Sequence, residues 1–415
     1  MLKNCTIPPS IRTTCVRPYQ LDDSHLHFSA SYLWWMGGVG STTVASFGII
    51  FNIIIVIVVL GSELAAHFFN WLLVCLAISD SFLLLNGVLE AFRSYFGSSQ
   101  LHDYVFVYFL HYFRSAILCC SEYMTILLAV ERYNALAKPE DRVLHQNQYI
   151  TSNTFSKYLS IYWKRLVKYV CPIIVLSSLL YVPKMFESQV VEQEICERVR
   201  TNESTSESLC YCWNVFAVRE TDFRNNNLYT LWYLNVTNIL VTVFIPIVSL
   251  IYLYFNIVLK FKKHRQMYPM VDSLQLEITC PIANIETLVV RENTMVEQTM
   301  MLFVIAVVFL VSHTPRSILN LEEFASMKYM EDAKKEGCIW LPYWTAIMVP
   351  ISHILLQINS SVNLLICFFF NNQFRRNLKH KIRKFIPVSK CIKKRANYCK
   401  KKDQTNELLD IEEST

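Results

Sequence analysis

Residues 127–139 read LLAVERYNALAKP. Glu131 and Arg132 follow directly on an apolar run, and Tyr133 completes the triplet. From Tyr104 to Val130 the only Asp, Glu, Lys or Arg residues are Arg114 and Glu122. A bilayer-crossing helix needs about 20 mostly apolar residues, so this run is long enough to cross. The acid–base pair stands where it should be leaving the membrane. Taken alone, it could be a snorkelling helix end.

The rest of the chain decides the matter. Apolar runs recur at about 37–60, 67–91, 104–130, 167–185, 229–258, 299–320 and 341–369. Of the 415 residues 53% are hydrophobic and 17% charged, against about a quarter charged in soluble domains. Seven runs predict an all-α membrane protein, a seven-transmembrane helix bundle in the lipid bilayer. A β-barrel would need shorter, alternating and more numerous strands. An odd number of spans puts the termini on opposite sides. The stretches 138–168, 260–265 and 375–402 are rich in Lys and Arg, which marks the cytoplasmic side. Asn4 and Asn202 open glycosylation sequons, and both then lie outside the cell.

The expected division is an extracellular N-terminus over 1–36, the bundle over 37–370, an amphipathic surface helix over 371–386 and a cytoplasmic tail over 387–415, in a multi-pass plasma-membrane protein. In the surface helix, Phe374, Leu378, Ile382 and Phe385 recur at helical spacing between basic residues. Cys391 and Cys399 follow in basic surroundings, either as palmitoylation sites or as plain thiols. The net charge of +6 gathers beside membrane spans, so no nucleic acid is expected as a partner. No nucleophile–base pairing, zinc spacing or phosphate loop is present, and an enzyme is not expected.

Polar residues inside the spans are expensive. Asn52 lies in GIIFN, Asp80 closes LAISD, Ser121 is in the third run, and the seventh carries NSSVN over 359–363. Two readings stay open from these residues: an interhelical hydrogen-bond network, or an oxygen cage for a hard monovalent cation.

In order, GIIFN, LAISD, ERY, FIPIVSLIYLY, a sixth-span proline, NSSVN and FRR resemble the motifs of rhodopsin-like (class A) G-protein-coupled receptors, over residues 37–386. The resemblance implies that Arg132 is held by Glu131 at rest and released to a heterotrimeric G protein, with Tyr254 supporting it. It implies a sodium ion, as allosteric modulator, at Asp80, Ser121, Asn359, Ser360 and Asn363. It implies activation bends at Pro246 and Pro315, with Phe309 packing below the pocket. The chain departs from that pattern in several places. Leu364 and Cys367 stand where the family has proline and tyrosine, His313 where it has tryptophan, and Val107 where it has the third-span cysteine. The extracellular cysteines, Cys5, Cys15, Cys196, Cys210, Cys212 and Cys338, are even in number, but sequence does not give their connectivity.

Arg114 occupies the position at which amine receptors of this type carry aspartate. A cation there repels protonated amines. Glu90 either pairs with Arg114 or, with it, receives a ligand. Tyr108, His111, His313, Glu322, Glu323 and His353 are further candidates for an aromatic, mixed-charge pocket. VPKMFE (182–187), the sixth span and NSSVNLLI are similar to invertebrate FMRFamide-type neuropeptide receptors, which implies a short amidated peptide as extracellular ligand. The alternatives are a chemosensory or orphan receptor of the same fold with a non-peptide ligand, and an ion-coupled transporter using Asp80, Glu90, Arg114, Glu122 and His313.

Overall fold

The computed structural model describes residues 2–4, 15–17, 31–97, 99–137, 155–199, 209–224, 226, 228–275, 283–335, 338–340 and 342–385. Six helices are long and apolar enough to cross a bilayer: α1 Ser31–Leu60, α2 Phe68–Phe96, α3 Gln100–Ala135, α4 Ser160–Phe186, α5 Tyr229–Lys260 and α6 Thr299–Ala325. The seventh, α7, is a bent pair, Tyr343–Ser361 and Asn363–Phe370, with 43° between its halves. The seven-helix bundle read from the sequence is the fold. A short helix, Met327–Lys335, follows α6, and α8, Asn372–Phe385, follows α7.

Spans form here because lipid cannot satisfy a free backbone N–H or C=O, so each crossing segment must bond within itself. Burial therefore divides the side chains differently from a soluble domain. Phe47, Ile53, Leu176, Leu179, Phe255 and Phe369 are exposed; these apolar faces suit acyl chains. The interior is close-packed around Ile55, Leu72, Leu76, Met124, Leu128, Ile257, Met301 and Phe309. Phe374 of α8 is buried in the same cluster, and Lys381 donates to the Ile57 carbonyl at 2.7 Å. That explains the sequence pattern of α8: an apolar stripe docks on the bundle and the basic residues stay outside.

The bend in α7 falls at Val362, although position 364 is leucine. Asn363 Nδ2 donates to Asp80 at 2.7 Å, and Ser361 Oγ donates to the Gln357 carbonyl at 2.6 Å. Polar side chains at the break hold a geometry that proline would otherwise impose. Pro172, Pro315 and Pro350 lie inside α4, α6 and α7. In α5, Pro246 comes just after the wide turns of Leu240–Phe244, where a missing N–H is easily absorbed.

Strands form at one end of the bundle. β3 (Ser188–Val199) and β4 (Leu209–Glu220) make an antiparallel hairpin with Ser188 opposite Glu220, and β1 (Leu2–Asn4) adds to β4. β2 (Cys15–Arg17) runs parallel to β5 (Cys338–Trp340). The register sets Cys196 opposite Cys212 and Cys15 opposite Cys338. Asn202, Cys391 and Cys399 lie outside the described residues, as do positions 5–14 and 386–415; Asn4 is in β1.

Candidate functional site

The sites form three layers along the bundle. The outermost is a charge cluster below the hairpin. Glu187, the residue before β3, is 1% exposed. Its carboxylate lies 3.1 Å from His111 Nε2 of α3 and 3.8 Å from Lys184 Nζ of α4. It also accepts from Tyr229 Oη of α5 at 2.8 Å and Arg224 at 3.4 Å. Burial pushes this carboxyl up, but the His111 hydrogen bond, the Lys184 and Arg224 charges and the Tyr229 hydroxyl outweigh it, holding its pKa down at about 2. Val107, fully buried one turn before His111, offers no sulfur to the hairpin. Glu187 supplies a non-covalent tether from the hairpin to α3.

Toward the centre, Arg114 is ion-paired with Glu90 of α2, and its other terminal nitrogen lies 3.0 Å from His353 Nδ1 of α7. Of the two roles left open for Glu90, the structural pair is formed. Glu323 reaches Arg224 at 4.0 Å, and Glu322 accepts from Ser326 Oγ at 2.7 Å. Tyr108 stands apart from this group, half exposed and stacked on Tyr104. The floor is His313, 3% exposed and stacked on Phe309 at 4.0 Å, with Nδ1 lying 3.4 Å from Glu122.

In the middle layer Asp80 accepts from Ser121 Oγ at 2.6 Å and Asn363 Nδ2 at 2.7 Å, and also bonds the Ser360 side chain. Asn52 Nδ2 donates to the Ser360 carbonyl at 2.9 Å, and its Oδ1 is buried without a hydrogen-bond partner. Asp80, Ser121, Ser360 and Asn363 therefore converge. Asn359 is half-buried and its side chain makes no hydrogen bond to them. An orphan acceptor beside a carboxylate and two hydroxyls fits a hard monovalent cation.

The inner layer carries the stretch at 131–133. Glu131 is 5% and Arg132 7% exposed. Arg165 of α4 donates to Glu131 at 3.0 Å, and the Arg132 guanidinium lies 3.6 Å above the Phe69 ring of α2. Lys260 sits 3.8 Å above Tyr133, Tyr254 stacks on Phe303 at 4.7 Å, and Cys367 Sγ contacts Met301 Sδ at 3.8 Å.

Sequence reading did not single out Glu187, Arg224 or Arg165 as site residues. Glu187 and Arg165 gave no signal, since a charge next to a span is common at any interface.

The sequence profile of the family described as serpentine type 7TM GPCR chemoreceptor Srw matches residues 40–384. The chain belongs to that family. This Srw receptor matches none of the curated proteins at a significant level. The general rhodopsin-like resemblance thus resolves to serpentine chemoreceptors, and the family model gives no support to the neuropeptide subgroup. As a G-protein-coupled receptor it takes an extracellular ligand and a G protein as partners.

Proposed function

We propose that this Srw receptor is a chemosensory receptor of the plasma membrane, with the hairpin side outside and the Glu131–Arg132 side in the cytoplasm. It converts binding of a non-peptide ligand into nucleotide exchange on a heterotrimeric G protein. The observation that carries the reading is the family match over residues 40–384, joined to a closed charge cluster at one end and a buried, stacked Arg132 at the other.

The ligand enters below the hairpin, among Arg114, His111, Glu323 and His353, above the His313–Phe309 floor. It acts by binding one arrangement of α6 better than the other. The bend at Pro315 is the lever, and its swing frees Arg132 from Phe69 to meet the G protein, with Tyr254 as support. A cation held by Asp80, Ser121 and Ser360, when bound, supplies positive charge that favours the resting arrangement. The amidated-peptide reading is weaker on charge grounds. An Arg-Phe-amide end brings a guanidinium and no carboxylate, whereas Glu90, Glu187 and Glu323 already face cations.

The deciding experiment is nucleotide exchange in membranes carrying the receptor and a panel of G proteins. Small organic compounds are applied beside amidated peptides ending in Arg-Phe. The reading expects exchange with the small compounds and none in Arg132→Ala. Response to the peptides alone would restore the neuropeptide reading; solute flux without exchange would point to transport.

A further inference from the structure

At the Glu131–Arg132 end of the bundle, one carboxylate joins α6 to α8. The helix Ala283–Ala325 carries α6 beyond Thr299 and places Glu297 one turn before Met301. Residues four apart share a helix face, and this face is turned to the corner between α7 and α8. Met301, fully buried, touches Cys367 Sγ of α7 at 3.8 Å. Glu297 takes the first residue of α8. One of its oxygens accepts the Asn372 backbone N–H at 3.0 Å, and the other accepts from Asn372 Nδ2. Arg375 donates to Asn372 Oδ1, which keeps the amide nitrogen turned to Glu297.

A helix begins with backbone N–H groups that have no partner within it, and its N-terminus favours negative charge. In α8 the Phe374 N–H is capped by Asn371 Oδ1 at 2.9 Å, whereas the Asn372 N–H takes its acceptor from another helix. Farther along, Lys381 holds α8 to the Ile57 carbonyl of α1. Helix α8 is thus moored to α1 and α7, and Glu297 ties α6 to that fixed base.

Glu297 stands 18 residues before Pro315, about 27 Å along the helix. A tilt of about 10° at Pro315 carries it about 5 Å, and a hydrogen bond is lost beyond about 3.5 Å. The contact therefore belongs to one arrangement of α6 and not to the other. We propose that Glu297 is a latch: bonded to Asn372 at the start of α8, its carboxylate holds α6 against the α7–α8 corner at rest and lets go when α6 swings. This deepens the receptor reading and rests on it. Asn372 is exposed, so water weakens the bond; the latch biases an equilibrium and a ligand can overcome it.

The test reads the two arrangements of α6 directly, in purified full-length receptor in lipid nanodiscs. Trifluoromethyl-phenylalanine is placed at Met300, an exposed residue beside the latch, and fluorine NMR resolves the resting and swung populations. In Glu297→Ala the swung fraction rises about 3–10-fold; alanine is a strong helix former, so α6 itself is not weakened. Asn372→Ala, which keeps the backbone donor, raises it less, and adding it to Glu297→Ala changes nothing further. Glu297→Asp keeps part of the resting bias. Lys381→Gln, which loosens α8 from α1 rather than from α6, leaves the populations as in the wild type.

Equal populations in wild type and Glu297→Ala, or a further rise in the double variant, would overturn the latch. A rise in Lys381→Gln as large as in Glu297→Ala would reduce the effect to general loosening of α8 and overturn it equally. So would a Glu297→Ala chain that fails to fold, since the contact would then be structural. The readout needs no G protein, and basal nucleotide exchange is measured beside it. A population shift with no exchange in any variant sinks the receptor reading and leaves the latch; exchange with no population shift does the reverse.

Discussion

Replacing Glu187 with glutamine removes the tether between the hairpin and helices α3, α4 and α5. The wild-type carboxyl has a pKa of about 2 against 4.5 for an unconstrained group. A difference of that size corresponds to roughly 3 kcal/mol of stability near neutral pH. Because the folded pKa is depressed, the contribution is complete above about pH 5.5 and is lost as pH falls through 4.5 toward 2. At pH 3 roughly 40% of it remains. Glutamine keeps the shape and the Tyr229 contact but leaves Lys184 and Arg224 without their shared anion. At about 2 °C per kcal/mol, Glu187→Gln melts roughly 6 °C below the wild type at pH 7. Thermal unfolding followed by intrinsic tryptophan fluorescence, run from pH 7 to pH 3 on both proteins, reads the gap. Narrowing by more than half is expected. A gap that stays constant across this range would refute the account, because the loss would then not come from ionisation of this carboxyl.

A Cβ at Gly48 would stand 2.7 Å from Leu84 Cδ1 and 2.8 Å from Ser361 Cβ, so Gly48→Ala pushes α1 off α7 and lowers stability by about 1–3 kcal/mol; chemical or thermal unfolding checks it. Asp80→Asn keeps a side chain that can bond Ser121 but removes the charge, so sodium, set against choline at equal ionic strength, no longer shifts its agonist response. The strand register predicts disulfides Cys196–Cys212 and Cys15–Cys338, formed in the oxidising secretory compartment. Non-reducing peptide mapping should recover both pairs, and free thiols at these four positions would count against the register.

The spans were legible from the amino acids because lipid imposes a one-dimensional rule. Each crossing must be about 20 apolar residues long and self-bonded, and the run containing LLAV is read that way without any neighbour. α8 was legible for a similar reason, its stripe of Phe374 and Leu378 being periodic. The hairpin was not, since pairing of Ser188 with Glu220 depends on a partner distant in sequence. Asp80 with Asn363 was expected from resemblance. That Ser360 joins them and Asn359 does not depends on where α7 turns at Val362.

The sequence by itself determined how many helices cross and which residues are exceptional within them. Only the tertiary structure decided the partners. Arg114 and His353 are 239 positions apart, and their 3.0 Å contact exists only once α3 and α7 are packed. Likewise Glu131 finds Arg165, Arg132 finds Phe69, and Glu187 collects four donors from the loop and three helices. Composition and periodicity report each segment's solvent. A charge's partner is a matter of distance, and distance is set by packing.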